Sequence, residues 1–102
     1  MLEDAVYRWE GRYFVWNVEK ARRNLAKHGV SFQEAAQAFT DPLAMAEDDP
    51  DHSEQEKRKI LIGHSDRGLL VVVVHTDRGN LIRLISARGA TRREKKKYEE
   101  AE

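Results

Sequence analysis

Two arginines interrupt an apolar segment near the end of the chain. The segment Leu81 to Arg88 is rich in leucine, isoleucine and alanine and reads as a strand, yet it carries Arg83, Ser86 and Arg88. A guanidinium group stays charged, so its placement beside a hydrophobic core is costly. Its planar fork suits the binding of an oxyanion such as phosphate. We therefore expect Arg83 and Arg88 to have a binding or catalytic role, with a structural ion pair as the alternative for each.

The spacing of these arginines raises a question about the strand itself. Side chains alternate along a regular strand, so Arg83 and Arg88 would face opposite sides of the sheet. A bulge near Ser86, or a position of Arg88 beyond the end of the strand, would bring both onto one face. The sequence leaves these alternatives open.

The charges are unevenly distributed along the chain although they sum to zero. Residues 47–56 carry six acidic side chains and no Lys or Arg, whereas residues 57–102 carry twelve basic and six acidic ones. A basic face that binds polyanions is therefore compatible with net neutrality. The acidic segment is predicted to be a solvated loop, and a cover for the basic face or a partner contact is the alternative. It does not have the spacing of an EF-hand.

Composition excludes several classes of site. The sequence has no cysteine, which excludes disulfides, thiolate metal sites and thiol catalysis. Its longest apolar run, from Leu69 to Val74, is far shorter than the 18 or so residues of a transmembrane helix. No charged-then-apolar signal segment is present at the N-terminus. We expect a soluble, cytoplasmic protein without a membrane contact, a metal ion or another cofactor.

Periodicity and capping signals predict a single α+β domain over residues 1–102. Three C-terminal strands form an antiparallel meander, and an N-terminal strand or hairpin joins the same sheet. A helix from Val18 to Lys27 and another that begins after Ser31 are expected to pack on one face, and a basic helix begins after Thr91. Ser31 and Thr91 each precede a glutamate by three residues, which is the spacing of a capping box. The opposite face would carry some of Arg58, His64, His75, Arg83 and Arg88.

The hydrophobic core is predicted to be one cluster. The meander supplies alternating apolar residues, and the first helix supplies an apolar stripe that includes Leu25. Truncation of Leu25 or Val71 to alanine is expected to cost about 1–4 kcal/mol. The predicted members are Val71, Val73, Ile60, Ile62, Ile82 and Leu25.

A series of short motifs runs from Trp16 to Tyr98. The motif positions are Trp16, Asn17, Lys20, residues 24–32 (NLAKHGVSF), Asp41, Pro42, Arg58, Gly63, residues 83–88 (RLISAR), Ala90, Arg92, Glu94 and Tyr98. These motifs resemble the BrnT family, the ribonuclease toxins of bacterial type II toxin–antitoxin systems, whose fold is similar to that of RelE. The family more often has aspartate at Asn17, isoleucine at Leu84 and arginine at Gly89. The resemblance does not cover residues 1–13.

The resemblance implies metal-independent cleavage of single-stranded RNA, which would inhibit translation. A 2′-hydroxyl attacks the adjacent phosphate, so the site needs a base, an acid and cations that stabilise the developing charge. The implied catalytic residues are Arg83, Arg88, His28 and Glu94, and the implied RNA-binding residues are Lys20, Lys27, Arg58, Arg92 and Tyr98. Alternatives stay open for three of them: His28 as a helix cap, Glu94 as part of a capping box, and Tyr98 as a packing residue.

The same resemblance implies a protein partner. A BrnA-like antitoxin encoded beside this chain would bind it and would also be the DNA-binding member, so the chain would meet DNA only through that partner. A second class of function remains open. The chain would then be a non-catalytic RNA- or partner-binding module, and its arginines would contact phosphate or an acidic partner with an affinity that depends steeply on salt.

Overall fold

The computed structural model describes residues 3–49 and 57–101 and confirms the α+β class. The strands are β1 (Asp4–Trp9), β2 (Arg12–Asn17), β3 (Met45–Asp48), β4 (Arg58–His64), β5 (Leu70–Arg78) and β6 (Leu81–Gly89). The helices are α1 (Val18–His28), α2 (Phe32–Gln37) and α3 (Arg92–Glu100), and a 3-10 turn (Ala38–Thr40) follows α2. All six strands belong to one sheet.

The sheet is larger than the predicted meander plus one N-terminal strand. Its order is β1-β2-β6-β5-β4-β3. The meander β4–β5–β6 is antiparallel as predicted, and β1 and β2 form the hairpin that the sequence left as an alternative. The prediction of an antiparallel sheet is wrong at one pair, since β2 runs parallel to β6.

The strand β3 pairs with β4 at the other edge, so Glu47 and Asp48 lie in a strand rather than in an acidic loop. Residues 50–56 of that predicted loop lie outside the described residues.

The core on the α1 and α2 side is built from aromatic and β-branched side chains. Phe14 of β2 and Phe32 of α2 are fully buried there, and Trp16 meets Phe32 edge-on with ring centroids 5.7 Å apart. Val71 and Val73 of β5 belong to the same cluster. Two of the helices therefore pack on one face, as predicted.

The prediction of a single core cluster is wrong. Ile60 and Ile62 belong to a second cluster on the opposite face, because they pair with Val74 and Val72 and so alternate with Val73. Leu25 is 49% exposed. The α1 position that is turned inward belongs to Asn24.

Asn24 substitutes for a missing strand beside β6. The pairing of β2 with β6 ends at Val15 and Arg83, so beyond that point one edge of β6 needs other hydrogen-bond partners. The Asn24 side chain accepts from the Ala87 amide at 3.1 Å and donates to the Ala87 carbonyl at 2.7 Å. It also donates to the Val30 carbonyl at 3.0 Å. One amide side chain thus fixes the second half of β6, and with it Arg88, against α1.

Helix α3 packs on the face opposite α1 and α2. Tyr98 is buried there against Ile62, Leu70 and Val72, and its hydroxyl donates to Asp41 at 2.7 Å. The expectation that one face stays free of helices is therefore wrong over this part of the sheet. We call the face that carries α3 the arginine face, because Arg58, Arg83 and Arg88 lie on it.

The two predicted capping boxes differ. Thr91 and Glu94 form a complete box, in which each side chain binds the other residue's backbone N–H. At Ser31 only one half forms, in which the hydroxyl accepts from the Glu34 amide at 3.0 Å. The Glu34 carboxylate instead accepts hydrogen bonds from Ser65 and Arg67, and these bonds tie α2 to the turn after β4.

Candidate functional site

A β-bulge in β6 brings the two arginines onto one face. Val74 pairs with Ser86 and His75 pairs with Leu84, so Ile85 is an extra residue in the ladder. A bulge of one residue reverses the alternation of side chains beyond it. Arg83 and Arg88 consequently both lie on the arginine face, opposite Thr76 and Val72 of β5 respectively. Of the alternatives that the sequence left open, the bulge next to Ser86 is confirmed.

Arg58, Thr76 and Arg83 form a row across three neighbouring strands. Arg58 pairs with Thr76, and Thr76 pairs with Arg83. Adjacent strands are about 4.8 Å apart, so the two arginine backbones lie about 10 Å apart with the threonine between them. Thr76 is 2% exposed. Within residues 3–49 and 57–101, neither the Thr76 hydroxyl nor the buried Nε of Arg83 has a hydrogen-bond partner.

Such a row is suited to binding an oxyanion. A buried hydroxyl or N–H without a partner costs free energy that a bound acceptor would recover. Two guanidinium groups on either side of a hydroxyl can together donate to several oxygens of one phosphate. The row therefore offers donors and positive charge at one place on the sheet. We call it the Arg58–Thr76–Arg83 row.

Arg88 has a different environment. Its two terminal nitrogens donate to the two carboxylate oxygens of Glu94, at 2.7 and 2.9 Å. The hydrogen bond from Arg88 outweighs burial and lowers the pKa of Glu94 to about 2, with help from the Thr91 amide. Glu94 is thus a carboxylate that caps α3 and fixes Arg88 at the same time. Its contacts match the capping alternative that the sequence left open.

Lys20, near the start of α1, lines a groove that Arg83 also lines. An open groove of about 630 Å³ runs between β1, α1 and β6. Asp4 lies in this groove, and its carboxylate accepts a hydrogen bond from Nη2 of Arg83 at 2.6 Å. The groove is lined by Asp4, Asn17, Glu19, Lys20, Arg23 and Arg83. Two of the sequence-predicted site residues, Lys20 and Arg83, therefore line the same groove.

The other predicted site residues are further from the row. Lys27 and His28 are exposed at the end of α1, about 12 Å along the helix from Lys20. Both stand in its last turn, where a cation favours the negative end of the helix dipole. Arg92 is exposed at the start of α3.

Tyr98 and His64 belong to a hydrogen-bonded cluster around Asp41. The carboxylate of Asp41 accepts from the His64 amide at 2.7 Å and lies 3.3 Å from Nδ1 of the same residue. Burial raises the pKa of Asp41, but the hydrogen bonds from the His64 and Leu43 amides outweigh it, so its pKa is below the usual value. The cluster ties β4 to α3, and a cavity of about 250 Å³ adjoins it. Tyr98 is buried, as the packing alternative expects, and its role in RNA binding stays a prediction.

His75 lies on the opposite face from the row, which corrects its expected place on the arginine face. It pairs with Leu84 and packs edge-on against Phe39 with ring centroids 4.9 Å apart. Burial lowers the pKa of His75, and the neighbouring Asp77 only partly opposes this effect. Its ring is therefore neutral near pH 7 and acts as a core residue.

Sequence reasoning missed Thr76, Asp4, Asn24 and Asp41. Thr76 lies two residues after the apolar run of β5. Because side chains alternate along a strand, it shares a face with Val72 and Val74, and this face could have been deduced by extending the predicted strand by two residues. Asp4 and Asn24 act through contacts 79 and 63 residues away in sequence. Asn24 begins the family-like motif at residues 24–32, but no local pattern predicts its contact with β6, and none marks Asp4. Asp41 carried a signal, since the Asp41-Pro42 pair was among the family-like motifs.

The described residues offer neither a cluster of metal ligands nor a membrane-spanning helix. Among the described residues, no group of three or more His, Cys, Asp or Glu side chains could hold a metal ion. Over the same ranges, no helix has the length and apolar composition needed to cross a membrane.

Comparison with known proteins gives the family of the chain. Residues 16–94 match the family described as "Ribonuclease toxin, BrnT, of type II toxin-antitoxin system". The chain belongs to the BrnT family. The match contains the Arg58–Thr76–Arg83 row, Arg88 and the first three residues of α3, but excludes β1. Type II systems pair a toxin with an antitoxin, so membership of the BrnT family implies an antitoxin partner.

A solved structure agrees with this assignment at the level of the fold. The crystal structure of the Brucella abortus ribonuclease toxin BrnT is similar to this chain with a TM-score of 0.55 and 24% identity. The similarity covers 76% of this chain and 94% of that one. A comparison with curated proteins gives no match.

Proposed function

We propose that this BrnT-family chain is a metal-independent endoribonuclease that binds the scissile phosphate of RNA on the Arg58–Thr76–Arg83 row. The row is the observation that carries the proposal, because it combines two permanent cations with a buried hydroxyl and a buried Nε that have no partner among the described residues. The family description as a ribonuclease toxin supports the choice of substrate. Inhibition of translation through RNA cleavage follows from this activity.

The proposed reaction is an internal transfer at phosphorus. The 2′-oxygen attacks the neighbouring phosphorus, the bond to the 5′-oxygen breaks, and a 2′,3′-cyclic phosphate and a 5′-hydroxyl result. Negative charge builds up on the non-bridging oxygens in the transition state. Arg83, which has the buried Nε, donates to one of these oxygens, and Arg58 stabilises the charge from the other side of Thr76. Charge stabilisation by preorganised donors is often the largest single contribution to catalysis.

Histidine is not expected to supply the base or the acid directly. Of the histidines that the structure describes, His28 lies at the far end of α1, His64 lies beside α3, and His75 is buried on the opposite face. We therefore propose a reaction dominated by cations, in which water carries the protons. The resemblance implies a fold similar to that of RelE, and RelE-like sites often lack an obvious histidine pair, which agrees with this proposal. The similarity to RelE stays a prediction.

The decisive experiment is a cleavage assay in excess chelator. Purified protein is incubated with a long single-stranded RNA and with DNA of the same sequence, and the termini of the products are identified. We expect cleavage of RNA alone, with 5′-hydroxyl ends, that persists in chelator. Arg83→Ala should abolish most of it. Arg93→Ala, at an exposed position of α3, is the matched control for the loss of one cation and should cleave normally.

Two results would contradict the proposal. Cleavage that disappears in chelator would show that a metal ion takes part. Salt-sensitive RNA binding without any cleavage by the wild-type protein would favour the non-catalytic module, in which the same row contacts phosphate without turnover.

We further propose that the antitoxin is BrnA-like, is encoded by the neighbouring gene and covers the arginine face or its rim. A partner with acidic side chains there would block access to the row while satisfying its charges. That partner would bind DNA, so this chain would contact DNA only through it. Co-expression of the two genes followed by size-exclusion chromatography should give one complex. Two separate peaks at micromolar concentration would count against this partner.

A further inference from the structure

Arg83 already has an anion as a partner. The Asp4 carboxylate accepts from Nη2 of Arg83 at 2.6 Å, although the two residues are 79 positions apart. Register explains the approach: Val15 pairs with Arg83 across β2 and β6, and Val6 pairs with Val15 across β1 and β2. Asp4 lies two residues from Val6 along β1, so its side chain is on the same face as Arg83.

The strand that carries Asp4 is held firmly in place. The Val18 amide donates to the Glu3 carbonyl at 2.9 Å, directly next to Asp4. On the other side of β1, Tyr7 packs against Trp16 with ring centroids 5.8 Å apart, and Ala5 and Trp9 also pack on the core. The position of Asp4 is therefore set by the hairpin and its packing, and not by the ion pair alone.

The strand β1 also lies outside residues 16–94, the part of the chain that matches the BrnT family. Asp4 is consequently an addition to the arginine site that family membership does not account for. The groove around it holds the cations Lys20, Arg23 and Arg83. Glu19, the other carboxylate in the groove, already accepts hydrogen bonds from Arg22 and Arg23. Asp4 is the carboxylate that faces Arg83.

We propose that Asp4 is a built-in competitor of RNA, whose carboxylate occupies the position on Arg83 that a phosphate oxygen takes when RNA binds. A carboxylate oxygen and a phosphate oxygen accept the same hydrogen bond from a guanidinium nitrogen. RNA must displace Asp4 from Nη2, whereas the buried Nε has no partner to lose among the described residues. The chain thereby restrains its own site. This inference rests on the proposed function, since it assumes that Arg83 binds phosphate.

The expected size of the effect follows from exposure. The side chain of Arg83 is 24% exposed and that of Asp4 is 46% exposed. Ion pairs of this kind are weak, so removing the competitor should tighten RNA binding by about two- to fivefold. A polyanion with several phosphate contacts can overcome a restraint of that size, so Asp4 tunes access and does not block it.

Binding of a non-cleavable RNA separates this inference from the cleavage proposal. The probe is a fluorescent RNA with 2′-O-methyl riboses, and anisotropy gives its Kd. Asp4→Asn should bind about two- to fivefold more tightly than wild type. Glu10→Gln is the matched control, because it removes one negative charge from the turn at the opposite end of the same hairpin. In an Arg83→Ala background, Asp4→Asn should have no effect.

Each remaining outcome has a definite meaning. Equal tightening by Asp4→Asn and Glu10→Gln would overturn the inference, because net charge alone would explain it. Weaker binding by Asp4→Asn with an unchanged thermal midpoint would overturn it as well, and would make Asp4 a residue that orients Arg83. If Asp4→Asn lowers the thermal midpoint, RNA binding by Asp4→Ser is measured instead, alone and in the Arg83→Ala background. Tighter binding by Asp4→Ser that disappears in that background supports the inference, and any other result overturns it. Tighter binding by Asp4→Asn together with no cleavage of ordinary RNA would support the competitor and contradict the ribonuclease proposal.

Discussion

The two arginines of β6 stand on one face of one strand, yet they are held in opposite ways. Arg88 is clamped by Glu94, six residues further on, through two parallel hydrogen bonds. Arg83 is held at one nitrogen by Asp4, which comes from the far end of the sequence, and its buried Nε has no partner among the described residues. Most N–H donors of Arg88 are hydrogen-bonded to residues close in sequence. Arg83, in contrast, keeps a donor at Nε that is not hydrogen-bonded within the described residues.

From this difference we propose that Arg88 is a structural arginine and Arg83 a functional one. A bidentate partner that also caps a helix makes Arg88 part of the attachment of α3 to β6. Arg83 can exchange its single carboxylate for a phosphate at little cost, because the pair is partly exposed. The resemblance treats both arginines alike, and the structure gives a reason to expect different consequences when each is removed.

The largest expected effect is on catalysis. Arg83→Ala should lower the single-turnover rate of RNA cleavage by about 10²–10³, the usual result of removing one preorganised charge contact. Arg88→Ala should lower it by about tenfold or less, because its donors are already engaged and its loss acts through α3. Rates are measured at saturating protein with a single RNA substrate.

Thermal midpoints supply the control for this comparison. Arg83→Ala should melt within a few degrees of wild type, since a partly exposed ion pair contributes at most about 1 kcal/mol. Equal rate losses for the two variants, with both folded, would remove the distinction between the arginines.

The next effect concerns the strand that carries both residues. Asn24→Ala should lower the free energy of unfolding by about 2–4 kcal/mol, because it leaves the N–H and C=O of Ala87 without their side-chain partner. Chemical denaturation measures this change. Leu25→Ala is the matched control on the same helix, and its 49% exposure predicts a loss of about 0.5 kcal/mol or less. A stable Asn24→Ala protein would show that water replaces the amide.

Local patterns predicted part of this arrangement and distant contacts supplied the rest. The α+β class, the meander and the Thr91 to Glu94 capping box could be predicted because each depends on residues close in sequence. The bulge could be named only as an alternative. The alternation of side chains along β6 breaks at Ile85, and no glycine or proline there indicates a bulge in the sequence. The partners Asp4 and Asn24 could not be predicted, because their contacts depend on how β1 and α1 pack against β6. Leu25 was assigned to the core by helical periodicity, whereas the hydrogen-bonding needs of Ala87 turn Asn24 inward instead.

A smaller effect tests the clamp at Arg88. Arg88→Ala should destabilise the protein by about 1–2 kcal/mol, because it removes two charge-assisted hydrogen bonds from a partly buried carboxylate. Glu94→Gln should cost a similar amount, and the double variant should cost little more than either single one. Additive losses in this double-mutant cycle would mean that the two side chains act independently.

The smallest effect is the pH dependence of the same clamp. The pKa of Glu94 falls from 4.5 to about 2 in the folded protein, chiefly through Arg88. A carboxyl group with a lowered folded pKa binds fewer protons than in the unfolded chain, so its stabilisation is complete above pH 4.5 and is lost as the pH falls through 2. The full shift would correspond to about 3 kcal/mol, and solvent screening at the half-exposed Arg88 reduces this to about 1 kcal/mol.

Asp41 and Glu34 also have lowered pKa values, so the informative quantity is the difference in unfolding free energy between wild type and Glu94→Gln. That difference in unfolding free energy should be largest near neutral pH and should shrink between pH 4.5 and 2. A constant difference over this range would show that Arg88 and Glu94 are not coupled through charge.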